Sequence, residues 1–484
     1  MQTSDDMSTQ DSSGDDPIRV LATHAGGKIL AVSLHLPERA WMGGAVIGMA
    51  PAEGVEHLRQ HASHSPQAHA HALTLACALA AGEPPPEKAE RLRTERRLAA
   101  EMIDMHLRRL LVDWPPSLGF EPRTNRYGEF HRRLLHAGEH ENDFLLGGEV
   151  LDLVARELLA GFFNQIRMPH GIGEFLDRLA GGGSLSSVLG ELIAQGPSTV
   201  PPERRTALLG TLSADAWATA VGTWPNAEFI HHPRYAGEAA ETGPLARHAA
   251  SPLVRILLER GNRISARLFA KAIDVADCAS TMRHPGSEEV APLIDACRPA
   301  PEVGLARVIT ARGALLCWVR LAEGRIADCA IVPAGAWNLQ PDGVYCREAM
   351  CLHAADGNPE ALKRMLEWLM LAIDPSLPFV VELVAAAEDA GAAPAGGRRH
   401  PPTARPSGAQ LTVGAAEVQQ RQTLLGTVEI DHLADEHHVV ATRVAHRVAA
   451  LKARAAAREQ RHAADPRVEL QPGELFPEPA GEAL

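Results

Sequence analysis

Three cysteines and one histidine are the residues of this sequence best suited to metal chemistry. Cys346, Cys351 and His353 form a Cys-x4-Cys-x-His group, and Cys317 precedes them. Thiolate sulfur and imidazole nitrogen are common ligands of transition metals. Cysteine also packs often in hydrophobic cores, so simple packing is the competing interpretation. The other four cysteines are interpreted as core residues: Cys77, Cys278, Cys297 and Cys329.

Histidines form a second cluster of candidate ligands near one predicted helix: His57, His61, His64, His69 and His71. Neutral imidazole is a frequent metal ligand, which makes a metal site one interpretation. The spacing does not favour any single tetrahedral set, however. A structural role for these side chains is the favoured interpretation.

Charge and cysteine usage exclude several classes of function. The 484 residues carry a net charge of −13, which argues against nucleic acid as a general partner. Seven scattered cysteines do not form a disulfide framework and fit a reducing compartment. No apolar run approaches the roughly 20 residues that span a bilayer, and no targeting segment precedes the first strand. We expect a cytoplasmic protein with no membrane partner.

Helical patterns dominate the first half of the chain. Residues 68–81 are almost unbroken Ala, Leu and His, and three prolines end this helix. Further helices are predicted at residues 87–112 and 148–166 from the spacing of their apolar side chains. An alternating run at residues 29–36 predicts a strand.

Short β-like runs between residues 303 and 333 are separated by turn signals, of which Glu323-Gly324 is a good hairpin signal. Asn358-Pro359-Glu360 then has the composition of a helix start, with Asn as the capping residue and Pro at the first helical position. That helix leads to Asp374-Pro375.

Composition divides the chain into four parts. Residues 1–17 form an acidic leader, and residues 18–390 form the main domain. Residues 391–409 are a linker rich in Ala, Gly and Pro, and residues 410–484 are a tail with one amphipathic helix. We expect the leader to be disordered and the tail to be dispensable for folding of the main domain.

Four segments, in order, resemble the large subunit of nickel–iron hydrogenase. They are residues 65–69 (SPQAH), 232–235 with 241–247 (HPRY, ETGPLAR), 311–318 with 337–341 (ARGALLCW, WNLQP) and 374–382 (DPSLPFVVE). Each motif alone is weak evidence, whereas four in the family's order indicate a relative. The resemblance implies a helix-rich α+β fold with a long helical bundle and small peripheral sheets.

The departures from the family's motifs decide the chemistry. Ala62 and Ser65 occupy the cysteine positions of the first motif, and Ser376 and Phe379 those of the fourth. In the family these four cysteines hold nickel, and two of them bridge to iron. Hydroxyl, methyl and phenyl groups cannot replace thiolates for such metals. The resemblance therefore implies a protein that binds no nickel and is not an enzyme. Glu382 likewise replaces the histidine that closes the fourth motif.

Arg312 is retained in the third motif. In the family this arginine neighbours the diatomic ligands of the iron, and a guanidinium suits cyanide nitrogen as an acceptor. The resemblance thus implies a pocket for an iron fragment with cyanide and carbon monoxide, Fe(CN)2(CO). Cys317, Cys346, Cys351 and His353 are then candidate temporary iron ligands, with zinc as a second interpretation. A structural salt bridge in a buried turn is the alternative for Arg312.

A large-subunit relative without the metal ligands resembles the HupK/HoxV group of hydrogenase maturation proteins. The resemblance implies a scaffold that holds the iron fragment for transfer to the apo large subunit, with other maturation proteins as partners. A metal-free protein-interaction module, or decoy, is the alternative, because both roles need the same outer surface.

Overall fold

The computed structural model describes residues 17–37, 42–62, 64–138, 142–165, 167–197, 200–286 and 291–386. Apart from Pro17, the predicted acidic leader lies outside these residues, as do the linker and the C-terminal helix. Helices predominate in the described part, and its strands form three small sheets. The predicted helix-rich α+β class is confirmed.

The described α-helices run in chain order as α1 (Met42–Ala45), α2 (Pro51–His61), α3 (Pro66–Ala81), α4 (Lys88–Arg108), α5 (Trp114–Ser117), α6 (Thr124–Leu134), α7 (Asp143–Leu153), α8 (Ile172–Leu179), α9 (Ser184–Ala194), α10 (Ala214–Val221), α11 (Ala227–His231), α12 (Pro244–His248), α13 (Pro252–Glu259), α14 (Arg263–Arg283), α15 (Ala334–Asn338), α16 (Val344–Ala349) and α17 (Pro359–Ile373). Two π-helical turns, Arg109–Asp113 and Val154–Leu158, follow α4 and α7, and short 3-10 helices lie at Phe162–Asn164 and Pro202–Arg204.

The strands are β1 (Ile18–Ala25), β2 (Lys28–His35), β3 (Ala207–Leu208), β4 (Ala240–Glu241), β5 (Ile294–Ala300), β6 (Val303–Thr310), β7 (Gly313–Ala322), β8 (Arg325–Val332) and β9 (Phe379–Ala385). Strands β5 to β8 form an antiparallel sheet in chain order, whereas β1 pairs with β2 antiparallel and with β9 parallel. The second half of the fourth motif is therefore a sheet strand.

Helix α14 lies at the centre of the described structure. Of its 21 residues, 15 are buried, and it packs against α4, α7 and α12. A helix that is apolar on most of its surface is stable only inside a protein. Three charged residues of this helix, Arg267, Lys271 and Asp274, are nevertheless buried, so each needs a partner of opposite charge.

The local sequence signals predict most elements and misplace some boundaries. Strand β2 and helix α3 lie within two residues of the predicted positions, whereas the helix predicted at 148–166 begins five residues earlier and ends in a π turn after Leu153. The hairpin at Glu323-Gly324 is confirmed, and both residues have positive φ, as a type I′ turn requires.

The predicted cap of α17 is also confirmed, since the Asn358 side chain accepts a hydrogen bond from the Glu360 N–H at 2.9 Å. Replacing Asn358 by alanine should lower the free energy of unfolding by about 1 kcal/mol, because that N–H loses its partner. Urea denaturation checks this value. Asn358→Asp keeps an accepting oxygen and is the control; equal losses in the two variants would contradict the assignment.

Candidate functional site

The carboxylate of Asp374 is the centre of a buried charge cluster. Lys271 Nζ lies 2.8 Å from its Oδ2, and Arg109 Nε and Arg312 Nε lie 2.7 and 3.4 Å from its Oδ1. Burial by itself raises the pKa of Asp374, but Lys271, Arg109 and Arg312 outweigh it and hold this pKa well below its usual range. Asp374 is therefore ionised at neutral pH and joins three distant parts of the chain.

The backbone places Asp374 where these cations meet. It is the C-cap of α17 and adopts the left-handed conformation, with φ 68° and ψ 69°. Aspartate tolerates this conformation better than most residues. Ser65, the residue before the proline of the first motif, is also left-handed at φ 56°. Such backbone persists only where surrounding contacts fix it, which is frequent at functional sites.

Arg312 connects the first motif to the fourth. Its Nε donates to the Asp374 carbonyl oxygen at 3.1 Å, and its Nη1 lies 4.0 Å from Met105 Sδ. On the other side of that thioether, Ser65 Oγ donates to Met105 Sδ at 3.3 Å. The salt bridge predicted as the alternative role of Arg312 is thus present, and its side chain also faces the degenerate first motif.

Glu101 holds the beginning of α3 in this arrangement. Its carboxylate accepts hydrogen bonds from the N–H groups of Gln67 and Ala68 at 2.8 and 3.1 Å. Burial raises the pKa of Glu101 to about 7, against the opposing effects of those two N–H groups and of Arg312. The group consequently titrates near neutral pH.

The turns of the second and third motifs contact each other directly. The Asn338 side chain accepts from Thr242 N–H at 3.1 Å and donates to the Thr242 carbonyl at 3.0 Å. Gly313 has φ 132°, and a Cβ there would lie 2.2 Å from Thr242 Oγ1. A Cβ on Gly243 would lie 3.0 Å from the Arg312 carbonyl oxygen. Glycine is favoured in both turns because both positions have positive φ and an added Cβ would press against the Thr242 side chain or the Arg312 carbonyl oxygen.

Two further buried networks fix the second motif. Arg267 donates to both oxygens of Glu241 at 2.7 and 2.8 Å and to both oxygens of Glu348 at 2.8 and 2.7 Å. Asp274 lies 2.8 Å from Arg247 Nη2 and 2.9 Å from His248 Nε2. Both ends of the segment 241–247 are therefore tied to α14.

The positions of the family's metal ligands offer no thiolate. Ala62 and Ser65 are both buried, and Ser65 directly precedes α3. Phe379 begins β9 and packs against the hydrophobic core beneath that sheet, and Glu382 is exposed on the same strand. The absence of a nickel ligand set follows from the residue types and stays a prediction for metal analysis.

The four predicted iron ligands are not brought together. Cys317 is buried in the core between α3 and the four-stranded sheet, whereas Cys346 belongs to the separate core around α16 and α17. Cys351 is half-buried with its Sγ 3.3 Å from the Arg347 carbonyl, and His353 is exposed. Among the residues that the structure describes, no group of three or more His, Cys, Asp or Glu is arranged to hold a metal ion. Geometry gives this ligand set no support, and its role in iron binding stays a prediction.

Burial also makes these thiols poor ligands at neutral pH. It raises the pKa of Cys346 to about 11 and also raises the pKa of Cys351. The Cys317 pKa is raised well above its usual range by a hydrogen bond with Cys329 and by burial. The cysteines interpreted as core residues are buried at 77, 278 and 329, while Cys297 is half-buried.

Serine at both Cys346 and Cys351 distinguishes packing from ligation. Because Cys346 is buried, we expect the free energy of unfolding to fall by about 1–3 kcal/mol for a hydroxyl left unpaired there. Iron retained after anaerobic purification should be unchanged. Denaturation and iron analysis on the same preparation check both properties; a variant of unchanged stability that loses its iron would restore the ligand assignment.

The histidine cluster is dispersed on the surface and in the core. His57 and His61 stack on the exposed side of α2 with ring centroids 4.2 Å apart. His69 is buried, and its Nδ1 lies 2.9 Å from the Ser65 carbonyl oxygen. Burial lowers the pKa of His71 to about 4. His69 thus supports the left-handed turn at Ser65, which fits the structural interpretation.

Several residues of the site were not predicted from the sequence. Arg109, Lys271 and Glu101 belong to no motif, yet they surround Asp374 and the start of α3. One signal was present: Arg267, Lys271 and Asp274 are spaced four and three apart among the apolar residues of α14. Charged residues at that spacing share one face of a helix, which indicates buried partners elsewhere in the chain.

Comparison with known proteins supports the motif-based resemblance. No protein family model matches the chain. It is 26% identical over 308 residues to the hydrogenase expression/formation protein HoxV of Cupriavidus necator, covering 59% of this chain and 76% of that protein. It is 34% identical to HupK of Azotobacter vinelandii over 158 residues, which are 33% of this chain and 40% of the relative. It is 28% identical to HupV of Azotobacter chroococcum over 36% of this chain and 53% of the relative.

Solved structures similar to this chain include two nickel–iron–selenium hydrogenases, each 16% identical to it. The hydrogenase from D. vulgaris Hildenborough has a TM-score of 0.48, covering 73% of this chain and 94% of the other. The enzyme from Desulfomicrobium baculatum also has a TM-score of 0.48, covering 73% and 95%. In sequence, this chain resembles hydrogenase expression/formation proteins named HoxV, HupK and HupV, which confirms the predicted resemblance to the HupK/HoxV group.

Proposed function

We propose that this protein takes part in the maturation of a nickel–iron hydrogenase as a scaffold without hydrogenase activity. Three curated relatives are named hydrogenase expression/formation proteins, and one of them is matched over 76% of its length. The observation that carries the proposal is the convergence of all four motifs around Arg312 and Asp374 while Ala62, Ser65 and Phe379 supply no thiolate.

We further propose that the cargo of the scaffold is the iron fragment with cyanide and carbon monoxide, which passes to the apo large subunit. Arg109, Lys271 and Arg312 are three cations gathered around Asp374; Arg109 also pairs with Asp113, and the Glu101 carboxylate interacts with Arg312. Cyanide nitrogen is a hydrogen-bond acceptor, and a guanidinium presents several fixed donors to it.

Room for the cargo must come from movement of side chains. The cavity lined by Arg312, Lys271 and Asn338 has a volume of about 10 Å³, enough for one water molecule. Met105 lies against both Arg312 and Ser65 and has an unbranched, flexible side chain. Displacing Met105 would open the space between the first motif and Arg312.

The same small cavity favours a second candidate function, a metal-free module that binds maturation proteins. In that case Arg312 serves only to hold Asp374. Both functions predict the same requirement for the chain during maturation and differ in whether iron is carried.

A strain lacking this chain tests the maturation role. We expect its hydrogenase large subunit to remain unprocessed and inactive, with normal transcripts of the structural genes, and the full chain supplied in trans to restore activity. Immunoblots of the large subunit and hydrogen-uptake assays provide the measurement. A large subunit that is still processed and active in this strain would refute the maturation role.

Nickel should not bind stoichiometrically, because Ala62, Ser65, Ser376 and Phe379 provide no thiolate ligand. Metal analysis of the purified full chain, incubated with nickel and desalted, checks this expectation. One tightly held nickel per chain would contradict it and indicate an enzymatic role.

A further inference from the structure

A cavity of about 300 Å³ lies at the N-terminal end of α14, and its lining residues lie outside the four motifs. The end of α9, the first turn of α14, residues 352–356 and the first turns of α17 enclose it. A volume in this range is typical of sites for small organic molecules. The predicted iron ligand His353 lies on its rim rather than in a metal site.

The first turn of α14 presents an anion-binding end to this cavity. The helix has 21 residues, no acidic residue in its first turn and no side-chain cap. N–H groups at a helix start lack intrahelical acceptors, and the helix dipole adds a partial positive charge there. An anion that entered the cavity would meet these groups directly.

Two buried polar side chains at the same place have no partner. Asn262 is 8% exposed and Ser265 is 2% exposed, and both line the cavity. Neither side chain makes a hydrogen bond with any residue in the described part of the chain. An amide and a hydroxyl that line the cavity without a protein partner are available to hydrogen-bond a polar group bound there.

Charge and apolar surface define the rest of the ligand. Arg263 is neutralised by Glu348 and Glu241. Two exposed groups of opposite charge, Arg364 and Asp356, also line the cavity; Arg364 has no ion pair with a described residue, and Asp356 Oδ1 accepts a hydrogen bond from the Asn358 N–H. Met365 and Trp368 supply apolar wall beside these groups. The site therefore combines donors for an anionic head at one end with a surface for carbon atoms at the other.

We propose that this cavity binds a small organic anion, with its carboxylate or phosphate at the first turn of α14 and its carbon skeleton against Met365 and Trp368. The proposal is independent of the maturation role. It requires neither iron nor the residues around Asp374.

Isothermal titration of the full chain with phenylacetate, phenyl phosphate and benzyl alcohol tests the proposal. At least one of the two anions should bind, and the uncharged alcohol should bind at least tenfold more weakly. The better anion identifies the head group as carboxylate or phosphate. If neither anion binds, or if benzyl alcohol binds equally well, the proposal is wrong.

Asn262→Asp provides a variant that keeps the fold. Aspartate is a good helix cap, so the melting temperature should be unchanged or higher, but its charge occupies the place of the anionic head. We expect anion affinity to fall at least tenfold. Asn226→Asp adds the same charge at the cap of α11 and should leave affinity unchanged. Equal affinity in wild type and Asn262→Asp would overturn the proposal.

Discussion

Replacing Asp374 by asparagine should lower the free energy of unfolding by about 3–5 kcal/mol, because Lys271, Arg109 and Arg312 would lose a buried counter-ion. Asparagine also tolerates the left-handed backbone of this position, so the loss reports on charge rather than on strain. Urea denaturation at neutral pH provides the measurement.

The pH dependence of that loss in stability provides a second test of the role of Asp374. Because the pKa of Asp374 is depressed in the folded protein, its stabilising effect is fully present above its unfolded pKa of about 4. The effect is lost as the pH falls through the lower folded value. The difference between wild type and Asp374→Asn should therefore be largest near neutral pH and shrink in acid.

Asp152→Asn is the matched control for Asp374→Asn. Asp152 pairs with Arg156 at 3.5 Å on an exposed helix surface, and such pairs contribute at most about 1 kcal/mol. Similar losses in the two variants would show that Asp374 is not the buried centre of the site.

Replacing Arg267 by methionine should have an effect of similar size. The change leaves Glu241 and Glu348 buried with only Arg263 between them, at a cost of about 3–5 kcal/mol. Arg267→Lys should recover little, because an ammonium group cannot donate to two carboxylates in the same fixed fork. Thermal and urea unfolding of both variants give these values.

The Arg267 variant should also weaken the site itself. Glu241 is followed by Thr242 and Gly243, which contact Arg312 and Gly313. A displacement of Glu241 would therefore also displace the residues that contact Arg312. Arg126→Met removes partly exposed pairs with Glu129 and Glu157 and is the control, with an expected cost of about 1 kcal/mol. A smaller loss for Arg267→Met than for this control would contradict the assignment.

Local signals in the sequence predict local structure well here. The cap at Asn358 and the turn at Glu323-Gly324 depend on neighbouring residues only, and both are confirmed. The boundary after Leu153 is missed because the helical pattern continues through a π turn that periodicity does not reveal.

Contacts between residues that are distant in the sequence are predicted only where both residues belong to recognised motifs. Resemblance indicates that residues near Ser65, Arg312 and Asp374 belong together, and the structure brings them together through Met105. Nothing in the sequence pairs Lys271 with Asp374, because the two lie 103 residues apart and neither spacing nor composition links them. A charged residue that is buried in a helix must have a partner, but the sequence does not identify which residue that partner is.

For the cysteine group, residues that are close in the sequence are separated in the structure. Cys346, Cys351 and His353 are close in sequence, but the helix α16 turns Cys346 into a core while His353 faces outward. Residues that are close in the sequence therefore need not have side chains that are close in the folded structure. The unpartnered Asn262 and Ser265 carry no sequence signal at all, because their lack of a partner is a property of the folded chain.

Infrared spectroscopy with metal analysis, on full chain purified anaerobically together with its maturation partners, tests the central claim most directly. Cyanide and carbon monoxide stretches lie in a spectral window free of protein bands. We predict iron with both kinds of band and no stoichiometric nickel, and loss of the bands in Arg312→Gln but not in the exposed-surface control Arg93→Gln. Wild-type protein that supports maturation yet shows neither iron nor these bands would contradict the scaffold and leave the metal-free interaction module.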